Sequence, residues 1–292
     1  MSVFNGAQYL DGSVSSILNQ SFANFEFIII DDASEDDSSS IIKKFASQDQ
    51  RIKIIKNDHN LGLTRSLNEG LKIARGKYIA RQDADDFSLP ERLRVQYSYL
   101  ENRLKIFLIG SSAILIDGQG KKIGHYLKKD NPQKTARTLT RRNCVLHPSI
   151  MFRNPHTKNF GRGIYPHTKN FGRGIYPHTK NFGVGVYREK FYYAQDYDLY
   201  LTLLTRGKKI TNLPQCLIKY RYYRGSLSFK NLKIQKRFAQ KAREFYNQRL
   251  KWGQDKYHLF NAQTIMEKTK NRTPLLPPQT RIFLTHLLKR RT

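Results

Sequence analysis

Cysteine, tryptophan and methionine are scarce in these 292 residues, at two, one and three. Cys144 and Cys216 stand far apart and fit neither a disulfide framework nor a zinc-ligand spacing. They read as ordinary buried thiols of a reducing compartment. No segment reaches the ~18 apolar residues that a membrane-spanning helix needs. The best candidate, Ile106–Ile116, is short and is interrupted by Gly110, Ser111 and Ser112. The first residues, MSVFNGAQYLDG, lack the basic and apolar regions of a secretory leader, so a cytoplasmic location is expected. Acidic residues are scarce in only part of the chain. Residues 1–100 hold 12 Lys and Arg against 14 Asp and Glu, whereas residues 101–292 hold 40 against 9. The resulting net charge of +29 draws polyanions, but does not choose between nucleic acid, anionic headgroups and phosphate-bearing small molecules. A basic nucleic-acid-binding protein would explain the charge, yet no RRM, KH, zinc-finger or basic-zipper signature is present.

What the sequence has is apolar and aromatic mass. A hydrophobic content of 39%, with 17 Tyr and 17 Phe, supports a sizeable core and excludes disorder of the whole chain. The first hundred residues alternate helical and strand patterns. Tyr9–Asn19 sets Leu10, Val14, Ile17 and Leu18 on one helical face, and Phe25–Ile30 reads as a buried strand. A helix over Ser38–Ala46, a strand over Ile52–Ile55, a helix over Thr64–Ala74 and a strand over Tyr78–Ala80 follow. That order predicts a parallel sheet covered by helices, with ligands at the carboxyl ends of its strands. Pro90 opens a further helix to Leu100; Ile106–Ile116 and His147–Phe152 read as strands, and Asp196–Thr205 as a helix. Phe229–Leu250 reads as a basic amphipathic helix, with Leu232, Phe238, Ala242 and Phe245 at helical spacing. The last stretch, from about Asn271, reads as a tail.

A tandem repeat stands apart. Residues 155–165 read PHTKNFGRGIY, residues 166–176 repeat that string unchanged, and residues 177–187 read PHTKNFGVGVY. A solenoid needs distinct apolar positions that stack between repeats, which these 11-mers do not supply. A duplicated loop is the better reading, and duplication alone explains why His156, His167 and His178 recur at one spacing.

Three acidic strings carry chemistry. Asp83-Ala84-Asp85-Asp86 follows a strand, where clustered carboxylates suit a hard divalent cation such as Mg²⁺ or Mn²⁺ beside phosphate oxygens. A solvated acidic turn ahead of the Pro90 helix is the alternative; an EF-hand is excluded, because its ligand alternation and distal Glu are missing. Asp31-Asp32-Ala33-Ser34 ends the strand Phe27–Ile30, and a carboxylate there suits a base N–H or a ribose hydroxyl. The alternative is a helix cap by Ser34 or Asp36. Asp196, in Tyr193-Ala194-Gln195-Asp196-Tyr197-Asp198-Leu199, is either a helix-start acid or a general base for a hydroxyl.

The order of these strings carries more than each alone. Ser16-Ile17-Leu18-Asn19-Gln20-Ser21-Phe22, then Phe25 through Asp31-Asp32-Ala33-Ser34, resembles the start of family 2 glycosyltransferases. Asn60-Leu61-Gly62, Asn68-Glu69-Gly70, Ala74-Arg75-Gly76-Lys77-Tyr78-Ile79, Asp83-Ala84-Asp85-Asp86, Pro90-Glu91-Arg92-Leu93, His147-Pro148-Ser149 and Gln195-Asp196-Tyr197-Asp198-Leu199 continue the match to about residue 225. The resemblance implies an α/β GT-A fold over residues 1–225, with the repeats at 155–187 inserted, and a basic helical extension over 226–292. It implies inverting transfer of a sugar from a nucleotide-sugar, foremost a UDP-sugar, to a hydroxyl acceptor in cell-surface polysaccharide or glycolipid synthesis. On the family's motif Asp32 contacts the base with Asp31 beside it, Asp83 and Asp85 are the metal-motif acids with Asp85 foremost as the direct ligand and Asp83 also on the nucleotide side, and Asp196 is the catalytic base. His147 lines the acceptor side or is a structural histidine. A lipid-linked glycan acceptor, and peripheral contact of the basic helix with an anionic membrane at the inner face, are the expected partners. Family members carry a longer first strand before Ser2-Val3-Phe4-Asn5, so that strand is read as truncated. With the inserted repeats, this leaves an inactive relative as the alternative reading.

Deleting residues 155–176 joins Asn154 to Pro177 and keeps every candidate residue. Loop closure costs only about 0.6 kcal/mol per doubling of length, so the deletion is expected to leave the melting temperature equal or higher. A shortened chain that unfolds at lower temperature would show that the extra copies belong to the fold.

Overall fold

The computed structural model describes residues 1–157, 186–223 and 225–270. The first two repeat copies beyond Thr157, most of the third, and the tail from residue 271 lie outside the described residues. The helix-covered parallel sheet expected from the alternating pattern is present for its first three strands; the fourth, Tyr78–Ala80, instead pairs antiparallel with Met151–Arg153 in a second sheet. Strand β1 (Ser2–Val3) pairs in parallel with β2 (Phe27–Asp31), which pairs in parallel with β3 (Ile52–Lys56). Helices α1 (Ala7–Leu18), α2 (Ser38–Gln48) and α3 (Leu63–Ile73) connect them. The apolar stripe of α1, Leu10, Val14 and Ile17, is buried against Val3, Phe27 and Ile29. Strand β1 is two residues long and, among the described residues, pairs only with β2. Met1 is itself buried, and its amino nitrogen donates to Ile28 O at 2.8 Å.

The second sheet has the strand order β4 (Tyr78–Ala80), β8 (Met151–Arg153), β6 (Ile106–Ile116), β9 (Lys209–Arg221), β5 (Phe87–Ser88), with β7 (Lys122–Tyr126) added to β6. Its pairs are antiparallel except β6 with β9. Two expectations need correction here. The strand read over His147–Phe152 begins as a 3-10 turn, His147–Ser149, because Pro148 has no N–H for a ladder, and only Met151–Arg153 is strand. The 13-residue β9 was not expected at all. Pro214 interrupts its apolar pattern, and the sheet absorbs it by register shifts between Ser111 and Ala113, where Leu213 pairs with Ser111 but Cys216 with Ser112. Close approach also explains Gly110: a Cβ there would meet Asn212 Oδ1 at 2.5 Å.

Helix α4 (Arg92–Asn102) starts with a residue whose side chain is fully buried. The Arg92 guanidinium faces no carboxylate. It donates to Gln82 Oε1 (2.7 Å), Ser88 Oγ (2.8 Å), Gln96 Oε1 (3.2 Å), Ile150 O (3.3 Å) and Arg81 O. Burial pushes its pKa down to about 9, against the attraction of Asp86, so it stays charged at neutral pH. Arg92 thereby ties the ends of β4 and the 3-10 turn to β5 and α4. Helix α5 (Pro132–Leu139) is capped by Asn131, whose side chain accepts from Lys134 N.

Near the C-terminus the expected single helix is divided into α7 (Leu227–Lys230) and α8 (Leu232–Trp252), followed by α9 (Ala262–Lys270). The apolar face of α8, Phe238, Ala242 and Phe245, is buried in one core with Phe191, Phe260 and residues Tyr197, Tyr200 and Leu201 of α6 (Gln195–Thr205). Arg188 joins Asp198 of α6 to Asp255, which also pairs with Arg249 of α8. No helix among the described residues is long and apolar enough to cross a membrane.

Replacing Arg92 by Met takes the donor from Arg81 O and Gln96 Oε1, whereas Ile150 O keeps Arg81 N and Gln82 Oε1 keeps the Ser88 hydroxyl. With about 1–3 kcal/mol for each of these two unsatisfied groups, the expected loss is on the order of 2–6 kcal/mol. Urea unfolding measures it; a loss of less than about 1 kcal/mol would show that the buried acceptors find other partners.

Candidate functional site

The site forms where strands of both sheets end. Strand β2 stops at Asp31, and both following carboxylates are turned into the protein. Asp31 accepts from Ser34 N at 2.9 Å and from the Ser39 hydroxyl. Burial opposes its charge, but these donors prevail and hold its carboxyl below the usual range. Asp32 Oδ1 accepts from Asn57 Nδ2 (2.7 Å) and Leu61 N (2.9 Å), and its Oδ2 accepts from Gly62 N (2.9 Å). Gly62, at φ 81°, lets two successive N–H groups converge on one carboxylate before α3 begins. Asp32 thus fastens the loop that leads into α3. Ala33 accepts a left-handed backbone, φ 59°, to turn the chain there.

The acidic loop lies close by. Asp32 N donates to Val3 O, and the loop after β1 brings Gly6 against both Val3 and Ala84. Ser13 of α1 donates to Asp83 O at 2.9 Å. Gln82 clasps the loop from below, giving its Nε2 to Asp86 O at 2.7 Å. One carboxylate oxygen from each of Asp83, Asp85 and Asp86 falls within 4.8 Å of the others. Asp86 Oδ1 accepts from Arg221 N at 2.7 Å, while its Oδ2 is buried without a hydrogen-bond partner among the described residues. Arg221 fixes the loop further by donating to Asp85 O, and its guanidinium lies over the Tyr9 ring at 4.0 Å. Burial and the neighbouring Asp83 raise the Asp85 pKa to about 6, and burial with Asp85 raises Asp86 well above the ordinary value. Three carboxylates held together, with one lone Asp86 oxygen buried among them, make a donor set that fits a hard divalent cation. The sequence pairing of Asp83 with Asp85 left Asp86 out. Its signal was its place in the same string, but only its burial shows that it points inward.

Asp196 lies in the first turn of α6, after Ala194 in the left-handed region at φ 54°. That conformation costs a non-glycine residue about 1–2 kcal/mol and aims the helix start. Asp196 Oδ2 accepts from Asn143 Nδ2 at 2.7 Å. Burial raises its pKa above the ordinary value, against the Asn143 and backbone donors and the charge of Arg81. Asp198, two residues on, is buried and locked by Arg188, so it serves the fold. His147 is buried, with Nε2 2.7 Å from the Tyr187 hydroxyl, and burial keeps it neutral. Tyr187, the last residue of the third repeat copy, is thereby part of the core, and its backbone N–H and C=O both bond the Asn68 side chain.

The pattern described as Glycosyl transferase family 2 matches residues 1–167. The chain is 31% identical over 269 residues to an uncharacterized glycosyltransferase of Methanocaldococcus jannaschii, covering 90% of this chain and 81% of that one. It is 31% identical over 255 residues to the O-antigen biosynthesis glycosyltransferase WbnJ of Escherichia coli, covering 85% and 88%. Among solved structures it resembles S. aureus TarS 1-349 in complex with UDP-GlcNAc, with a TM-score of 0.56, 16% identity, and coverage of 86% and 71%. At that identity the likeness speaks for the GT-A fold.

The raised carboxyl pKa values set a pH dependence. For Asp85 the protonated form favours the metal-free fold; that contribution is full below 3.8 and is lost as pH rises through about 6. A bound cation needs the ionised form. The rise in melting temperature on adding Mn²⁺ is therefore expected to be larger at about pH 7.5 than at about pH 5. Equal rises at both pH values would count against the acidic loop as the site.

Proposed function

The chain belongs to glycosyltransferase family 2, and from that premise we propose that it moves a hexose from a UDP-sugar to a hydroxyl acceptor with inversion at the anomeric carbon. The observation that carries this reading is the convergence of Asp83, Asp85 and Asp86 at one strand end. Asp83 and Asp85, with Asp86, would hold Mg²⁺ or Mn²⁺, which when bound supplies charge neutralisation to a departing diphosphate. Asp31 and Asp32 line the nucleotide side. The Asp32 carboxylate already takes three donors and has capacity for one more, such as a base N–H.

Asp196 is the base of this reading. Its carboxylate takes the proton of the acceptor hydroxyl as that oxygen bonds the anomeric carbon from the face opposite the leaving diphosphate. The bond from carbon to diphosphate oxygen breaks with its electron pair on the diphosphate. One base and no carboxylate nucleophile give inversion. A burial-raised pKa suits the role, since it makes the carboxylate a stronger base near neutral pH.

The relatives that match nearly the whole chain include one named for O-antigen biosynthesis, which supports a place in polysaccharide synthesis; a lipid-linked glycan is the acceptor of this reading. A peripheral membrane contact in this reading runs through the exposed lysines of α8, such as Lys233 and Lys236, because the apolar face of that helix is already buried on α6. Electrostatic attachment of this kind weakens with salt.

Release of UDP from a panel of UDP-hexoses, with Mn²⁺ or with chelator, tests the reaction. Asp85→Ala is expected to remove metal-dependent turnover with the fold retained, and unchanged turnover in that variant would sink the metal assignment. Asp196→Asn keeps the shape and removes the base, so kcat is expected to fall roughly 10²–10⁴-fold with donor binding retained. A variant that loses donor binding but keeps the chemical step would move Asp196 out of the base role.

A further inference from the structure

Arg81 sits between the end of β4 and the acidic loop, and the mechanism above gives it no part. Its guanidinium is withdrawn from solvent, with the residue 5% exposed. Both terminal nitrogens fork onto the two oxygens of Asp83. Its Nε is buried without a hydrogen-bond partner among the described residues. The backbone is held from both sides: Arg81 N donates to Ile150 O at 3.0 Å, and Arg81 O accepts from Arg92. The guanidinium is therefore delivered to one place.

The other buried cations near the loop make a different kind of contact. Arg92 spends its donors on carbonyls, amide oxygens and a hydroxyl. Arg221 gives its guanidinium to the carbonyls of Asp85, Asp117 and Gly118. Among the described residues Arg81 is the cation whose side chain pairs with a carboxylate of the acidic loop. The pair is bidentate, with the guanidinium buried and the Asp83 side chain 29% exposed, and a forked guanidinium is hard to displace. It occupies both oxygens of Asp83, the same atoms that a divalent cation would need.

We propose that Arg81 is a positioning residue that stands in for the metal at Asp83, so that the donor-free site binds a divalent cation weakly and holds it firmly only together with the nucleotide diphosphate. The proposal rests on the acidic loop being the metal site. Before donor arrives, the guanidinium keeps three crowded carboxylates in register by neutralising one of them. A divalent ion entering alone must break that pair against a resident positive charge. An ion entering with a diphosphate brings its own anionic ligands, and the released guanidinium gains an anionic neighbour in place of Asp83. Metal and donor affinities are then coupled through one side chain, and the coupling is reciprocal.

The test is calorimetric Mn²⁺ binding to the full chain, with and without UDP, for the parent protein and for Arg81→Met, Arg81→Lys and Asp85→Ala. Without UDP, Arg81→Met is expected to bind Mn²⁺ at least tenfold more tightly than the parent, and the enhancement by UDP is expected to shrink. Arg81→Lys should fall between them, because a point charge cannot fork across both oxygens. It also keeps the test decisive if the Met variant does not fold. A residue that merely braces the loop would give weaker Mn²⁺ binding on removal. Unchanged or weaker donor-free binding in the folded variants overturns the proposal while leaving the metal site standing. Mn²⁺ binding that survives Asp85→Ala undiminished, or no Mn²⁺ binding by the parent even with UDP, overturns the metal site and the proposal with it.

Discussion

The buried guanidinium of Arg92 is the constraint on which the rest of the arrangement depends. A fully buried cation without a carboxylate partner is tolerated only where neutral acceptors surround it with good geometry. Here those acceptors come from four places: the end of β4, the acidic loop through Gln82, the strand β5 through Ser88, and the 3-10 turn through Ile150. Arg81 O depends on this cation for its donor, while Ile150 O also accepts from Arg81 N and Gln82 Oε1 from the Ser88 hydroxyl. The cation therefore fixes the acidic loop relative to both sheets. Asp83 and Asp85 can converge only because the segment from Arg81 to Ser88 is pinned at its start, middle and end.

Electrostatics in the site follows from that pinning. Loops anchored by buried donors cannot relax to separate like charges. Asp85 and Asp86 consequently share a dry region, and their ionisation is suppressed. The same burial raises the pKa of Asp196, while Asn143 keeps its carboxylate oriented. Asp31, by contrast, is surrounded by hydroxyl and backbone donors and stays readily ionised. Similar acids at strand and helix ends thus differ in chemistry through the donors around them.

The strong positive charge of residues 101–292 divides in the structure into two populations. Arg153, Arg221 and Arg249 are buried and serve internal acceptors, as when Arg153 donates to Ile106 O and Leu100 O. Arg188 and Arg249 converge on Asp255 and bind the C-terminal helices to α6. Among the described residues, exposed bases such as Lys121, Lys122, Arg141 and Arg142, together with the exposed lysines of α8, make the outward field. A count of charges cannot separate these populations, because burial of an arginine depends on acceptors brought from distant parts of the chain.

Much of the fold was legible from local pattern. The helices and strands up to Ile73 fall within a few residues of the spans read from apolar periodicity, because each packs against elements close in sequence; the short strand Phe87–Ser88, which pairs with β9, was not read. Strand β9 was not legible, since Pro214 breaks its pattern and only the long partner β6 can absorb the bulge. The strings holding Asp31, Asp32, Asp83, Asp85 and Asp196 were visible as acids at element ends, and their order gave the family. Their separate characters were not. That both oxygens of Asp32 are already engaged, that Asp86 points inward, that Asp198 is locked by Arg188, and that Arg81 grips Asp83 all depend on partners up to 135 residues apart. The sequence by itself determined which residues can carry charge and which segments must be buried. The tertiary structure decided which charges are paired, dried or free, because solvation and hydrogen bonding are set by whatever surrounds a group in space, not by its neighbours in the chain.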